Sequence, residues 1–184
     1  VQYVSAKALV NQAKLVAQQQ QQSPDPAQNE FAQLLRFAVS EGDVRNCPSK
    51  CGKKVTIRRK LTNVPDVVSI GLIWDTDRPS LQYVNQVLQT IGTELNLRNL
   101  FDCSSVDSPN LSLRLQGVVC YYGKHYSTFF FHSKMKKWTY FDDAHVKELD
   151  SQWSSVTEKC LRGHYQPLLL LYGTEESQPM STET

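Results

Sequence analysis

The stretch GVVCYYGKHYSTFFFHSKMKKWTYFDD, residues 117–143, contains the features that decide the fold. Two aromatic segments within it have the composition of β-strands, and a short segment rich in lysine and serine separates them. An antiparallel hairpin that turns at this segment brings Asp142 and Asp143 back to the level where the first strand begins. The sequence therefore predicts a carboxylate beside His125 at the open end of a hairpin.

Two explanations fit a histidine and a carboxylate at this spacing. In the first, the carboxylate bonds to one imidazole nitrogen and stabilises the imidazolium, so that the other nitrogen can activate a thiol or hydroxyl nucleophile. In the second, a strand-end histidine and two turn aspartates are simply solvated. Spacing alone favours the second explanation, because His–Asp pairs on hairpins are common.

The residues around the pair resemble the His box of the ubiquitin-specific proteases, the ubiquitin carboxyl-terminal hydrolases. In that family a strand of the form YxLxGVxxHxG leads to GHYxxY, and WYxFDD or WYxFND with a following valine completes the box. The matching residues in this sequence are Gly117, Val118, His125, Tyr126, Trp138, Phe141, Asp142, Asp143 and Val146. The resemblance implies that His125 is the general base, that Asp142 orients it and that Asp143 is a supporting polar residue.

The sequence departs from the family pattern immediately before the histidine. Lys124 stands where the family usually has glycine, and the loop that many members carry before the histidine is almost absent. The short loop predicts either a more open cleft or weaker catalysis. The resemblance implies that the cleft near Gly123, Lys124 and Tyr126 binds the narrow Gly-Gly tail of ubiquitin, since backbone must approach closely there.

Hydrophobic periodicity outside this stretch predicts a mixture of helices and strands. Apolar residues at helical spacing predict helices at 6–16, 31–38, 81–91 and 153–160. Alternating or apolar runs predict strands that include 1–5, 53–61, 67–74, 111–122 and 166–172. The nearly continuous apolar run 67–74 is typical of a strand covered on both faces. The sum is an α+β domain with an antiparallel sheet.

The resemblance also sets the domain organisation. It implies a papain-like cysteine protease fold, of which this chain forms the antiparallel palm sheet, part of the fingers and a few helices. Residues 1–172 are predicted to be the C-terminal half of the catalytic domain, with 17–29 as a variable Gln-rich loop and 173–184 as a disordered tail. The first residue, Val1, is not an initiator methionine, which suggests a piece of a longer protein.

The five cysteines, an odd number without a secretory signal, indicate reduced thiols in an intracellular, cytoplasmic protein. None of them lies in a GNTCFxN-like context, the nucleophile box of the family. Cys47 and Cys51 have the spacing of half a tetrahedral zinc site, although two free thiols in a loop explain the spacing as well. The resemblance implies a fingers zinc ribbon whose first cysteine pair would precede Val1. We predict no cofactor for catalysis and consider only a structural zinc.

Charge gives little evidence for other functional classes. The net charge of +2 does not indicate nucleic acid or membrane, and no apolar run approaches the roughly 20 residues of a membrane span. A local basic patch consists of Lys50, Lys53, Lys54, Arg58, Arg59 and Lys60. No aromatic platform is interleaved with it, so nucleic acid is disfavoured and an acidic protein surface remains an alternative partner.

Two functions follow from the resemblance. The first is a thiol-dependent deubiquitinase that acts on ubiquitin, polyubiquitin chains or ubiquitinated proteins, in which this segment supplies the base and its aspartate but lacks the cysteine box. The segments YYGKHYSTFFF, FDDAHVKEL and GHYQPLLLLY resemble the hydrolase 53 and 54 group, some of whose members have been called inactive. The alternative is therefore a catalytically inactive pseudoenzyme that binds ubiquitin or another partner.

Overall fold

The computed structural model of the chain describes residues 1–20, 31–40, 44–108, 110–143 and 145–174. These ranges contain five helices and ten strands. In chain order they are β1 (Gln2–Ser5), α1 (Ala6–Gln20), α2 (Phe31–Ser40), β2 (Val44–Asn46), β3 (Lys54–Thr56), β4 (Val67–Ile73), α3 (Leu81–Thr90), β5 (Glu94–Asn96), α4 (Leu97–Leu100), β6 (Ser112–Tyr122), β7 (His125–His132), β8 (Lys137–Asp142), β9 (His145–Glu148), α5 (Trp153–Gly163) and β10 (Gln166–Gly173).

Eight of these strands form one sheet, in the order β1-β4-β10-β6-β7-β8-β9, with β5 paired to β6 beside this path. The β1–β4 pair is parallel, and the other strand pairs of the sheet are antiparallel. Strand β10, the last of the described strands in chain order, lies between β4 and β6. Strands β2 and β3 form a separate antiparallel pair. The predicted α+β class with an antiparallel sheet is confirmed.

One face of the large sheet forms the hydrophobic core together with the helices. Side chains alternate across a strand, so every second residue of β4, β6, β7, β8 and β10 points to this face. The buried strand residues include Val68, Ile70, Leu72, Val118, Phe129, Trp138, Tyr140, Leu170 and Tyr172, and the buried helix residues include Leu9, Leu35, Val84, Leu88 and Val156. The Tyr172 hydroxyl donates a hydrogen bond of 2.6 Å to the Gly92 carbonyl, which ties β10 to the end of α3.

The opposite face of the sheet is apolar but largely open. Val67 and Ile73, at the two ends of β4, are 52% and 55% exposed, so the prediction that this strand is covered on both faces is wrong at its ends. Only its middle is covered, because the Tyr3 ring lies over Gly71, where an added Cβ would be 2.6 Å from the ring. The apolar run of β4 therefore includes residues of an exposed sheet face as well as residues of the buried face.

The helix ends use ordinary capping. Ser5 Oγ accepts a hydrogen bond from the Ala8 backbone N–H at 3.3 Å and so caps the N-terminus of α1, and Ser80 Oγ caps α3 in the same way. Helix α5 ends at His164 in the left-handed conformation with φ of 54°. Within the described ranges, no helix combines the length and the apolarity needed to cross a membrane.

Three predicted boundaries differ from the structure. Helix α1 continues to Gln20, because glutamine is a good helix former. The predicted loop at 17–29 therefore does not include residues 17–20, and residues 21–29 lie outside the described ranges. The strand predicted at 53–61 is regular only in β3. Gly173 belongs to β10, and the Thr174 N–H donates to the Asp66 carbonyl at 3.2 Å, so the predicted disordered tail at 173–184 does not include these two residues. Residues 175–184 lie outside the described ranges.

Candidate active site

A two-residue turn joins β6 to β7 and places His125 at the start of its strand. Tyr122 and His125 are paired residues, and Gly123 and Lys124 between them have φ values of +59° and +72°. Type I′ hairpin turns require positive φ at both central residues. Lys124 is therefore a turn residue, and this tight turn is the very short loop that the sequence shows before the histidine.

The hairpin of β7 and β8 returns the carboxylates to His125, as the sequence predicted. Thr128 is paired with Phe141, which places Asp142 one step nearer to the open end on the side-chain face that His125 occupies. His125 Nε2 and Asp142 Oδ1 form a direct hydrogen bond. Asp143 Oδ2 lies 3.9 Å from His125 Nδ1, on the other side of the ring.

This arrangement defines the role of each imidazole nitrogen. The carboxylate of Asp142 accepts from Nε2, so Nε2 carries the proton of the neutral ring and Nδ1 is left with a lone pair. The His125 side chain is 43% exposed, and the Asp143 side chain is 84% exposed. Nδ1 is thus accessible to a reacting group, and Asp143 acts on it through charge rather than through a hydrogen bond.

The second oxygen of Asp142 is bonded by a residue that the sequence analysis did not select. The Tyr140 hydroxyl donates to Asp142 Oδ2 at 2.8 Å. Hydrogen bonds from His125 and then from Tyr140 lower the pKa of the Asp142 carboxyl, while desolvation opposes them and the charges of His125 and His145 add smaller contributions. The sequence pattern that could have identified Tyr140 is the two-residue period of a strand, since Tyr140 precedes Asp142 by two residues and shares its face.

We expect this lowered pKa of Asp142 to make the chain less stable in acid. A carboxyl whose pKa is lower in the folded protein stabilises it fully above the unfolded pKa, about 3.9 for aspartate, and that contribution is lost as the pH falls through the folded pKa. Urea denaturation between about pH 7 and pH 3 should therefore show a steeper decline below about pH 4 for the wild type than for Asp142→Asn. Asp107→Asn, at an exposed aspartate elsewhere, is the control, and parallel profiles for wild type and Asp142→Asn would contradict the expectation.

The remaining predicted substrate residues lie around the same hairpin end. Gly123 and Lys124 form the turn next to His125, and an added Cβ on Gly123 would meet no atom within 4 Å. Tyr126 is 60% exposed, and its ring centroid is 5.2 Å from that of Tyr121. These residues form an open rim beside the imidazole.

None of the cysteine thiols contacts His125, within the part of the chain that the structure describes. Cys103, Cys120 and Cys160 are buried, and the sulfur atoms of Cys120 and Cys160 lie 4.0 Å apart in the core. Burial raises the pKa of the Cys103 and Cys120 thiols, which keeps them in the unreactive protonated form. The described geometry therefore presents a base and its orienting carboxylate without a neighbouring thiol.

Cys47 and Cys51 lie far along the chain from this pair, in the turn between β2 and β3. The Lys50 N–H donates to the Cys47 carbonyl at 3.0 Å, and the Cys47 N–H donates to the Lys53 carbonyl at 2.8 Å. Hydrogen bonds from the Ser49 backbone and from the Cys51 side chain lower the pKa of the Cys47 thiol. Metal ions bind thiolates, so this turn fits half of a tetrahedral zinc site.

Other groupings of possible metal ligands are limited. Among the described residues, the only group of three or more His, Cys, Asp or Glu side chains close enough to share an ion is His125, Asp142 and Asp143, whose ligand atoms lie within 4.8 Å of one another. In that group His125 Nε2 is already bonded to Asp142. A zinc site at Cys47 and Cys51 would need two further ligands from outside the described residues.

Sequence comparison finds related proteins over most or all of the chain. Residues 6–172 match the sequence model of the family described as ubiquitin carboxyl-terminal hydrolase. The chain is 47% identical over all 184 residues to ubiquitin carboxyl-terminal hydrolase 54 of Mus musculus and 40% identical to ubiquitin carboxyl-terminal hydrolase 53 of Homo sapiens. It spans 11% and 17% of the length of these two relatives.

A solved structure also aligns with the chain. It is the SAGA DUB module of Ubp8, Sgf11, Sus1 and Sgf73, and the alignment covers 72% of this chain and 29% of the other. The two aligned chains are 18% identical, with a TM-score of 0.40.

Proposed function

The chain belongs to the ubiquitin carboxyl-terminal hydrolase family, and on that premise we propose that the protein carrying it is a thiol-dependent deubiquitinase. Its reaction is hydrolysis of the isopeptide bond at the C terminus of ubiquitin. The observation that supports this proposal best is the hydrogen bond between His125 Nε2 and Asp142 Oδ1, which leaves Nδ1 accessible at an open hairpin end. Substrates and partners are ubiquitin, polyubiquitin chains and ubiquitinated proteins.

The mechanism divides the work between this chain and a cysteine outside it. His125 Nδ1 accepts the thiol proton, and the thiolate attacks the carbonyl carbon of the last ubiquitin residue. The imidazolium, stabilised by Asp142, then gives its proton to the departing lysine amine, and a thioester remains. In the second half, His125 takes a proton from a water molecule as its oxygen attacks the thioester carbon. The C–S bond breaks, the ubiquitin carboxylate leaves, and the imidazolium returns its proton to the cysteine sulfur.

The rim of the site supplies the binding of substrate in this proposal. Gly123 leaves space for extended backbone beside His125, as the Gly-Gly tail of ubiquitin requires. Lys124 and Tyr126 flank that space with an exposed cation and an exposed aromatic ring. Asp143 Oδ2, 3.9 Å from His125 Nδ1, places a negative charge beside the nitrogen that receives the proton.

Two further features are part of the proposal. Cys47 and Cys51 contribute two ligands to a structural zinc ion, which stabilises the β2–β3 turn and takes no part in catalysis. The protein acts inside the cell, in the cytoplasm, where the five thiols stay reduced.

A ubiquitin conjugate with a fluorophore on its C-terminal carboxyl tests the function. We expect the full-length protein to release the fluorophore with multiple turnovers, and the chain of 184 residues alone to release none, because no thiol of this chain contacts His125 in the described residues. If the 184-residue chain shows turnover, and Cys51→Ser, the variant of its exposed cysteine, abolishes it, the proposal that the nucleophilic cysteine lies outside this chain is wrong. Absence of turnover by the full-length protein would overturn the hydrolase.

The second candidate is a pseudoenzyme that binds ubiquitin or a partner without cleaving it. The observation that favours it is the absence of a thiol beside His125 among the described residues. Saturable binding of ubiquitin by the full-length protein, together with no turnover of the fluorophore conjugate, would establish this alternative.

A further inference from the structure

Tyr140 holds Asp142 on the side away from His125, and side chains from a distant part of the sequence contact Tyr140 in turn. The Tyr140 hydroxyl, in β8, donates to Asp142 Oδ2 at 2.8 Å, and the Tyr165 hydroxyl lies 2.6 Å from that of Tyr140. The Lys159 ammonium, in α5, lies 3.9 Å from the centroid of the Tyr140 ring. Asp142 is therefore linked to the C-terminal end of α5 through two tyrosines.

The direction of these hydrogen bonds follows from proton counting. An ionised carboxylate can only accept, so Tyr140 must use its single hydroxyl proton for Asp142. The short contact between the two tyrosine oxygens then requires Tyr165 to donate to Tyr140. A donated hydrogen bond polarises the next one in a chain, so Tyr165 strengthens the bond from Tyr140 to Asp142.

The cation acts in the same direction. A positive charge on the face of an aromatic ring is attracted to the ring electrons, and it draws electron density away from the ring substituents. The Lys159 ammonium is 3.9 Å from the Tyr140 centroid and 5.9 Å from the Tyr165 centroid, so its main effect falls on Tyr140. The Tyr140 hydroxyl is thereby made a better donor toward Asp142.

Packing prevents the two tyrosines from moving away. The Tyr140 ring is 4% exposed and lies between Phe129, at 5.0 Å between centroids, and Tyr165, at 5.7 Å. The Tyr165 backbone N–H donates to the Cys160 carbonyl at 2.8 Å, where α5 ends. An added Cβ on Gly163 would lie 2.6 Å from the Tyr165 ring, so the ring has close backbone on that side.

We propose that Tyr140 is a positioning residue for the His125–Asp142 pair, and that Tyr165 and Lys159 set the direction and strength of its hydrogen bond. Asp142 receives one donor on each oxygen, which fixes the rotation of the carboxylate and, through it, the tautomer and orientation of His125. The inference rests on the proposed function for the role of His125 as a base. Its geometry concerns only residues of this chain.

Nuclear magnetic resonance of the 184-residue chain tests the inference without any activity. Long-range proton–nitrogen correlations of the imidazole show which nitrogen of His125 carries the proton when the ring is neutral. We expect protonation at Nε2 in the wild type, and in Tyr140→Phe a roughly ten-fold lower ratio of the Nε2–H to the Nδ1–H tautomer, since one hydrogen bond to a charged group is removed. Tyr165→Phe and Lys159→Met should change the ratio in the same direction by a smaller factor.

Tyr172→Phe is the matched control. It also removes a hydroxyl that makes one short hydrogen bond in the core, but that bond joins Gly92, away from His125. The control should lower thermal stability without changing the tautomer ratio. If Tyr140→Phe fails to fold, Tyr165→Phe, at a less buried ring, provides the same comparison.

Kinetics of the full-length protein provide the second readout. Tyr140→Phe should lower kcat for the ubiquitin–fluorophore conjugate by roughly ten-fold with little change in KM, whereas Tyr172→Phe should leave kcat unchanged. A tautomer ratio in Tyr140→Phe equal to that of the wild type would overturn the positioning role, whatever the activity. Absence of turnover in the wild type would instead count against the proposed hydrolase, so the two failures can be told apart.

Discussion

Replacing His125 by alanine in the full-length protein should lower kcat/KM for a ubiquitin–fluorophore conjugate by about 10³-fold or more. The reason is that His125 is the only imidazole among the described residues that is bonded to a partly buried carboxylate, that of Asp142, while its second nitrogen stays accessible. Loss of the general base leaves the thiol proton without an acceptor, and base catalysis together with thiolate formation accounts for a factor of this order. Steady-state kinetics with the conjugate measure the effect.

The control for this variant lies on the same strand. His132, at the other end of β7, is exposed, and its Nδ1 accepts from the Met135 N–H at 3.3 Å, so His132→Ala should keep kcat/KM near the wild-type value. The His125 side chain is 43% exposed but donates a hydrogen bond to Asp142, so its removal should lower the melting temperature by only a few degrees. An activity of His125→Ala within ten-fold of the wild type would remove it from the mechanism.

Replacing Phe129 by alanine should destabilise the chain by about 3–5 kcal/mol, the largest stability effect we expect. Phe129 is fully buried, and its ring packs against Tyr140 at 5.0 Å and Tyr165 at 6.4 Å between centroids. The truncation would leave a cavity directly beneath the row of side chains that holds Asp142. Urea denaturation of the 184-residue chain measures the free energy of unfolding.

The neighbouring residue provides the comparison for Phe129. Phe130 points to the opposite face and is 40% exposed, so Phe130→Ala should cost only about 1–2 kcal/mol. Phe129→Leu, which keeps most of the buried volume, should cost less than about 1.5 kcal/mol and remains measurable if the alanine variant does not fold. Equal losses for Phe129→Ala and Phe130→Ala would show that the core does not lie on the predicted face.

The part of the site that could be predicted from the sequence is the part made by one hairpin. His125 and Asp142 come together because alternation and a short turn fix which residues of two adjacent strands meet. The family resemblance then selected the catalytic explanation of this pair over the solvated one. Lys124 became understandable only in the structure, where positive φ at two successive residues shows a turn rather than a missing loop.

Contacts between distant segments could not be predicted. Tyr165 reaches Tyr140 across 25 residues, and that contact depends on where α5 ends and how it packs on the sheet. Tyr140 itself is two residues from Asp142, but the composition of the strand does not show that its hydroxyl finds the carboxylate. The apolar run at β4 was misjudged at its ends for a similar reason, since hydrophobicity does not distinguish an open sheet face from a covered one.

The position of β10 has a consequence for the order in which the protein can fold. β10 separates β4 from β6, yet it is synthesised after both of them. Until residues 166–173 leave the ribosome, the facing edges of β4 and β6 lack their shared partner. The part of the sheet that contains β4 and the part that contains β6 cannot join before then. Such long-range closure is slow and leaves strand edges open to wrong pairing, so the nascent chain is most vulnerable to aggregation just before β10 is made.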